Sequence, residues 1–450
     1  MFTQEELEVR TMGERKHPSP LGLSTTKDDY VADYVRDDAR VALEVETFVG
    51  QTWNPLLLEK AGPRAFLHFN PAYTRAAIVS CGGLCPGINN VVRSMTMELH
   101  HKYGVKDIRG IRYGYEGLVA NGGNEPIHLD PETVRDVHKH GGSFLGLSRG
   151  AQDPAKMVDR LAQLGVNILF AIGGDGTLRG AHAIAEEAIR RGAPLAVVGV
   201  PKTIDNDVPL VDKTFGFETA VEVSRLAIDA AHTEAYDARN GVAIVKLMGR
   251  DAGFIAANAT IASAEVNFCL IPEAPFDLEG EYGLLPALEA RLRSRGHALI
   301  VIAEGCIAQF APAEGERDAS GNLRYVSGAL DVGPLLRDTI STWLKQRGLP
   351  SAVKYIDPSY MIRSVPANAS DSIFCDNLAR HAVHAGMAGK TDVMIGRWHH
   401  VFTHVPLSVV ARQKKRVDTD GELWLSVTET TGQPPFKSPD ARVVHRRPLL

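Results

Sequence analysis

The segment Ile168 to Ala181, ILFAIGGDGTLRGA, constrains this chain more than any other: an apolar run stops at a glycine turn bearing one carboxylate and one hydroxyl, then passes into a helical pattern. From Thr177 onward, Leu178, Ala181, Ile184 and Ala185 recur at helical spacing. Gly173, Gly174 and Gly176 remove the side chains that would keep a phosphate off the backbone, and they admit backbone angles that other residues resist. Peptide N–H groups and the positive end of the following helix then face one spot, which suits a phosphate. Asp175 would be repelled by polyphosphate unless a cation lay between them, and Mg2+ takes one or two carboxylates plus phosphate oxygens. Alone, the segment also suits an ordinary Gly-Asp-Gly turn between strand and helix.

A second apolar run, Leu195 to Val200, ends in PKTIDND, Pro201 to Asp207. In an extended segment Asp205 and Asp207, two residues apart, point the same way as Thr203. Close carboxylates raise each other's affinity for a proton or a metal, which suits base catalysis on a hydroxyl. Lys202 adds a mobile positive charge. A third run, Ala76 to Val79, leads into GGLCPGINN, Gly82 to Asn90, and Ile88 to Met97 reads as the next helix. The GxGxxG dinucleotide pattern is absent. Cys81 and Cys85 lack a second Cys or Cys/His pair, so they read as buried thiols rather than zinc ligands.

Two further runs, Val242 to Val245 and His297 to Ile302, deliver KLMGR and AEG. Alternating strands and helices predict a doubly wound α/β architecture, and open parallel sheets bind ligands beyond the carboxyl ends of their strands. Arg250 and Glu304 suit a substrate phosphate and a hydroxyl, while Met248 suits substrate carbons or the core. Tyr360 and Arg363, after the strand-like VKYI, could clamp a second phosphate, although a surface salt bridge is the default for an isolated arginine.

Composition narrows the classes. With 450 residues, 44% of them hydrophobic, there is material for two or more domains, and a net charge of −5 argues against a general nucleic-acid-binding surface. Five scattered cysteines suit a reducing cytoplasm, no apolar run approaches the roughly 18 residues of a membrane span, and the acidic, polar N-terminus is unlike a signal peptide. Met1 to about Arg75 reads as an arm packed on the body or on a neighbouring subunit, Ala311 to Leu323 as a surface loop, and Lys414 to Arg416 as a solvated basic face.

GGLCPG, GGDGT, PKTIDND, KLMGR and PSYMIR occur in the order and approximate spacing of the phosphofructokinases, and the chain resembles that family from about Arg75 to Val405. The likeness is to an ATP-dependent branch close to the pyrophosphate-dependent enzymes. It implies two Rossmann-like domains: residues 76–215 with 363–410 for the nucleotide and 216–362 for the sugar phosphate, flanked by extensions 1–75 and 411–450. It implies Asp205 as the base on the sugar's primary hydroxyl, with Thr203 and Arg250 as catalytic partners, and Asp175 as the magnesium ligand. ATP would contact Gly83, Arg149, Gly150, Gly174, Asp175, Gly176 and Thr177. Fructose 6-phosphate would contact Thr203, Ile204, Asp205, Met248, Gly249, Arg250, Glu304, Tyr360, Met361, Ile362 and Arg363.

Two positions bear on the donor. In the family, pyrophosphate users have Asp where this chain has Gly176, which favours ATP; Lys202 is typical of pyrophosphate users. Gly176 carries more weight, because a carboxylate excludes the α-phosphate by bulk and charge. Gly241 falls where familiar bacterial enzymes place an arginine donated across subunits, and Arg239 is close enough to replace it. The expectation is an ATP-dependent 6-phosphofructokinase, allosteric and homotetrameric; the alternatives are a pyrophosphate-dependent enzyme or a non-catalytic regulatory subunit.

Overall fold

The structure, a computed structural model, describes residues 2–50, 52–119, 124–310 and 331–437; the expected surface loop Ala311 to Leu323 lies outside them. In chain order the strands of its two main sheets are β1 (Arg40–Ala42), β2 (Leu57–Lys60), β3 (Arg75–Ser80), β4 (Asp107–Ile111), β5 (Ile127–His128), β6 (Ile168–Gly173) and β7 (Ala196–Pro201). There follow β8 (Gly241–Leu247), β9 (Phe268–Leu270), β10 (His297–Ala303), β11 (Ala352–Ile356), β12 (Val393–Trp398) and β13 (Val401–Pro406).

The larger sheet has nine strands in the order β1-β2-β13-β12-β7-β6-β3-β4-β5. Its centre, β12-β7-β6-β3-β4, is parallel, and antiparallel strands close both edges. Every residue of β6 and β7 is buried, as expected of strands covered on both faces. Side chains alternate between two cores: Ala76, Ile78, Ile168 and Phe170 face one, while Ala77, Val79, Leu169 and Ala171 face the other, beside the helix Asp175–Arg190. The smaller sheet, β9-β10-β8-β11, is wholly parallel.

From β3 the chain steps outward to β4, then returns to place β6 on the opposite side. The loops after β3 and β6 therefore leave in opposite directions and open a crevice between them. After the helix Ala369–Met387 the chain supplies β12 and β13 to the larger sheet.

The N-terminal arm packs on its own chain. Its β1 and β2 extend the larger sheet through β13, and Met12 N–H donates to the Gly389 carbonyl at 2.8 Å. Under this seam lies Glu59. Burial opposes its ionisation, but His404 at 3.1 Å and Lys390 at 2.7 Å hold it well below the usual carboxylate range. The C-terminal segment also has a definite place: the helix Glu422–Thr431 packs on the helix Phe254–Ser263 of the smaller lobe, and the Phe436 ring meets that of Phe268 at a tilt, with centroids 5.8 Å apart.

Candidate active site

A cavity of about 770 Å³ lies where the carboxyl ends of β3, β6 and β7 meet those of β8 and β10. Each strand contributes a turn, and each turn has a local reason for its shape.

After β6, Gly174 caps the helix Asp175–Arg190. Contrary to expectation, none of Gly173, Gly174 and Gly176 has a left-handed backbone. What Gly173 supplies is space, since a Cβ there would lie 2.1 Å from Thr177 Oγ1. The loop after β3 does hold left-handed glycines, Gly82 at φ 91° and Gly87 at φ 99°, and so does the turn after Arg149, with Gly150 at φ 110°. A Cβ on Gly87 would also come within 2.6 Å of Cys375 Sγ. Asp175 opens the helix, with its carboxylate 2.7 Å from Arg179 Nη1. Gly83, Arg149, Gly150, Gly174, Asp175, Gly176 and Thr177 all line the cavity, and Gly82 N–H donates to the Ser148 carbonyl at 3.0 Å, which joins the segment Leu147 to Gly150 to the β3 loop.

Lys202 is not mobile. It is buried, its Nζ donates to the Gly83 carbonyl at 2.7 Å, and its backbone N–H donates to Gly173 at 2.9 Å. The lysine thus ties the β3 loop to the β6 loop, and burial pushes its pKa down.

The PKTIDND segment is a turn rather than an extended strand, because Asn206 adopts φ 54°. Asn206 is held there by Thr214 N–H, which donates to its Oδ1 at 3.0 Å. Asp205 and Asp207 still both face the cavity. The Thr203 hydroxyl donates to Asp207 at 3.0 Å and accepts the Asp205 N–H at 3.1 Å. Asp205 Oδ1 is buried without a hydrogen-bond partner. Burial first, then the charges of Asp207 and Glu304, push the Asp205 carboxyl well above its usual range. Such a group binds a proton avidly when nothing else reaches it.

From the smaller sheet, Met248, Arg250 and Glu304 line the cavity, whereas Gly249 does not. Gly249 shapes the turn instead: it has φ 126°, and its carbonyl accepts Gly305 N–H at 3.0 Å, locking the two strand ends together. Burial raises the Glu304 pKa against the pull of Lys246 and Arg250. Ile204 is nearly buried yet touches the cavity.

The PSYMIR residues separate on the short helix Ser359–Ser364. Arg363 enters the cavity, Ile362 is fully buried in the core, and Tyr360 and Met361 are 77% and 67% exposed. Arg239 and Gly241 stand at the start of β8, the end remote from the cavity, and do not line it.

Three charged residues that the sequence reading did not assign to the site also line it, Arg179, Asp251 and Lys414. Asp251 follows KLMGR directly, so the strand-end rule could have found it. Lys414, read as part of a solvated face, instead places Nζ 2.5 Å from Asp251 Oδ2. No local signal marks it, because its partner is 163 residues away.

The phosphofructokinase family model matches residues 75–386. The chain is 44% identical over 438 residues to the ATP-dependent 6-phosphofructokinase of Borreliella burgdorferi, covering 95% of this chain and 97% of that one. It is 46% identical over 443 residues to the ATP-dependent 6-phosphofructokinase of Amycolatopsis methanolica, covering 96% and 95%. In fold it is similar to the crystal structure of a pyrophosphate-dependent phosphofructokinase from Marinobacter aquaeolei, with a TM-score of 0.64 at 22% identity over 82% of this chain and 90% of that one.

Proposed function

The chain belongs to the phosphofructokinase family, and from that premise we propose that it is an ATP-dependent 6-phosphofructokinase, moving the γ-phosphoryl of ATP to the 1-hydroxyl of fructose 6-phosphate in glycolysis. One observation carries the reading: Asp205, a buried carboxylate with an unpartnered oxygen, shares a cavity with the backbone cradle of residues 82–83 and 174–177. A base with unmet demand for a proton faces a place built for phosphate.

The sugar binds toward the smaller sheet, where Arg250 and Arg363 receive its phosphate and Glu304 its hydroxyls. Asp205 takes the proton of the 1-hydroxyl as that oxygen attacks. Thr203 keeps Asp207 occupied and steadies the Asp205 backbone. Arg250 also faces the moving phosphoryl group, and fixed charge of this kind carries most of the catalysis in phosphoryl transfer. On the donor side, Gly83, Arg149, Gly150 and residues 174–177 receive ATP, and Gly176 leaves room for its α-phosphate.

The donor set fits Mg2+. Carboxylate oxygens face the cavity, while burial pushes the Cys81 thiol up to about 12, so it remains protonated and offers no soft ligand. Asp175 is the residue that would hold the ion. When bound, Mg2+ neutralises phosphate charge and orients the donor.

The remaining assignments follow the same premise. The chain works in the cytoplasm, in keeping with five unpaired, buried cysteines and no described helix long and apolar enough to cross a membrane. It forms a homotetramer under allosteric control, and Phe48, Val49 and Trp53, exposed between β1 and β2, suit a subunit contact. Residues 76–215 with 363–410 form the nucleotide domain and 216–362 the sugar domain. Segments 1–75 and 411–450 flank them as extensions.

The test is initial-rate phosphorylation of fructose 6-phosphate with Mg2+, with ATP and pyrophosphate compared at equal concentration. Turnover with ATP is expected. Turnover with pyrophosphate alone would overturn the donor assignment, and silence with both would return the regulatory-subunit reading.

A further inference from the structure

Lys414 occupies the same cavity as Asp205. Its Nζ is 2.5 Å from Asp251 Oδ2 and 3.7 Å from Asp207 Oδ2. Those acids belong to different lobes: Asp207 follows β7 of the larger sheet, and Asp251 follows β8 of the smaller. The ammonium therefore spans the seam across which a donor and a sugar would meet.

The neighbouring backbone is tied in the same sense. Lys415 N–H donates to the Asp207 carbonyl at 2.8 Å, and Lys415 Nζ donates to the Val211 carbonyl at 2.9 Å. Val417 N–H donates to Glu273 at 2.9 Å, and the same carboxylate accepts Gly253 N–H. Residues 414–417 thus form a strap from one lobe to the other. Most of its ties do not involve the Lys414 side chain, so replacing that side chain leaves the strap attached.

We propose that Lys414 is a positioning residue of the phosphoryl-transfer site: its ammonium offsets the charges of Asp207 and Asp251 and sets the spacing of their two turns beside Asp205. The inference rests on the reading of Asp205 as the base. Asp205 is faced by Asp207 on its own turn, Lys202 at the end of β7, Cys85 after β3, Arg250 and Asp251 after β8, Glu304 after β10, and Lys414. Three of these are acids that drive protons onto Asp205, and Lys414 opposes them. Although burial works against it, Lys414 itself stays ammonium, because Asp251 and Asp207 raise its pKa.

The experiment measures kcat, the KM for fructose 6-phosphate and the pH dependence of kcat/KM for wild type, Lys414→Met and Lys414→Arg. Removing one opposing charge moves a neighbouring carboxyl by about one pH unit or more. In Lys414→Met the acid limb of kcat/KM should therefore rise by about that much, kcat at neutral pH should fall about tenfold, and KM should change less than about threefold. Lys414→Arg, which keeps the charge, should recover most of the loss.

An unmoved pH profile in Lys414→Met overturns the proposal. So do equal losses in both variants that track a lowered melting temperature, since the lysine would then only brace the lobes. A wild type silent toward fructose 6-phosphate would overturn the reaction assigned above, not the lysine's role. The lysine is then read from the carbon-13 NMR titration of the Asp205 carboxyl in the ligand-free protein: an upward move in Lys414→Met supports the proposal, and an unmoved titration overturns it.

Discussion

Asp175 and Asp205 stand at the ends of adjacent strands, β6 and β7, and carry the same carboxyl group in opposite surroundings. Asp175 opens a helix, whose N-terminus attracts negative charge, and has the Arg179 guanidinium 2.7 Å away. Asp205 has a buried oxygen with no partner and shares its corner with Asp207 and Glu304. A carboxylate beside a cation and a helix N-terminus is favoured in its ionised form, the form that a metal ion needs, whereas one starved of partners is placed to take a proton. The division of labour comes from the surroundings rather than from the side chain.

The largest break in this comparison should come from Asp205→Ser. General-base assistance is worth about 10²–10⁴-fold, so kcat should drop by that much while the KM for fructose 6-phosphate stays within a few fold. Unchanged kcat would remove Asp205 from the role. The pH dependence has a definite sign. The folded-state pKa is raised, so the base is lost as pH falls through a value above the ordinary carboxylate range, and kcat/KM should decline there. Stability runs the other way. A raised carboxyl pKa contributes stability that is fully present below the unfolded value and lost as pH rises through the folded one. At neutral pH the ionised group is a cost, so Asp205→Asn should be inactive yet melt at a higher temperature than wild type.

Gly176→Asp adds a second carboxylate to the Asp175 side. Two like charges about 4 Å apart at an effective dielectric near 20 repel by about 4 kcal/mol, which caps the effect near a thousandfold. Loss of kcat/KM for ATP by about a hundredfold is expected, with pyrophosphate use rising relative to ATP. If ATP kinetics are untouched in this variant, Gly176 does not govern donor choice. Asp175→Ala should act more narrowly, raising the Mg2+ concentration for half-maximal rate by on the order of ten- to a hundredfold while saturating Mg2+ restores part of the rate. A magnesium titration matching wild type would move the ion elsewhere in the cavity.

Much of this arrangement was legible in the sequence because parallel strands covered on both faces must be apolar throughout, so β6 and β7 announce themselves, and a glycine or charge at the end marks the turn. The helix Ile88–Met97 has the boundaries its pattern predicts. The reading weakened where geometry depends on partners distant in sequence. Lys202 is fixed by Gly83, 119 residues earlier, and only the fold shows that its ammonium is tethered. Asn206 takes a left-handed backbone, which a two-residue spacing argument cannot register. Strands β1 and β2 hold three and four residues, too few to show a period, so the arm's place in the sheet was invisible. Lys414 resembled any basic surface run until its carboxylate partners came into view.

The smallest effect concerns PSYMIR, where a contiguous motif cannot all face one ligand. Successive residues of a helix turn by about 100°, so Ile362 goes to the core, Arg363 to the cavity, and Tyr360 outward. Tyr360 still has a way to matter, since the Arg363 guanidinium lies 4.8 Å from the centre of its ring. An exposed cation–π contact is worth about 0.5–1 kcal/mol. If Tyr360 acts by aiming Arg363, Tyr360→Ala should raise the KM for fructose 6-phosphate about two- to fivefold with kcat and melting temperature unchanged, and Tyr360→Phe should behave as wild type. Arg363→Ala should raise KM further, and the double variant should be no worse than Arg363→Ala. Additive losses would instead mean that Tyr360 meets the sugar phosphate directly, through a surface that this chain leaves 77% open.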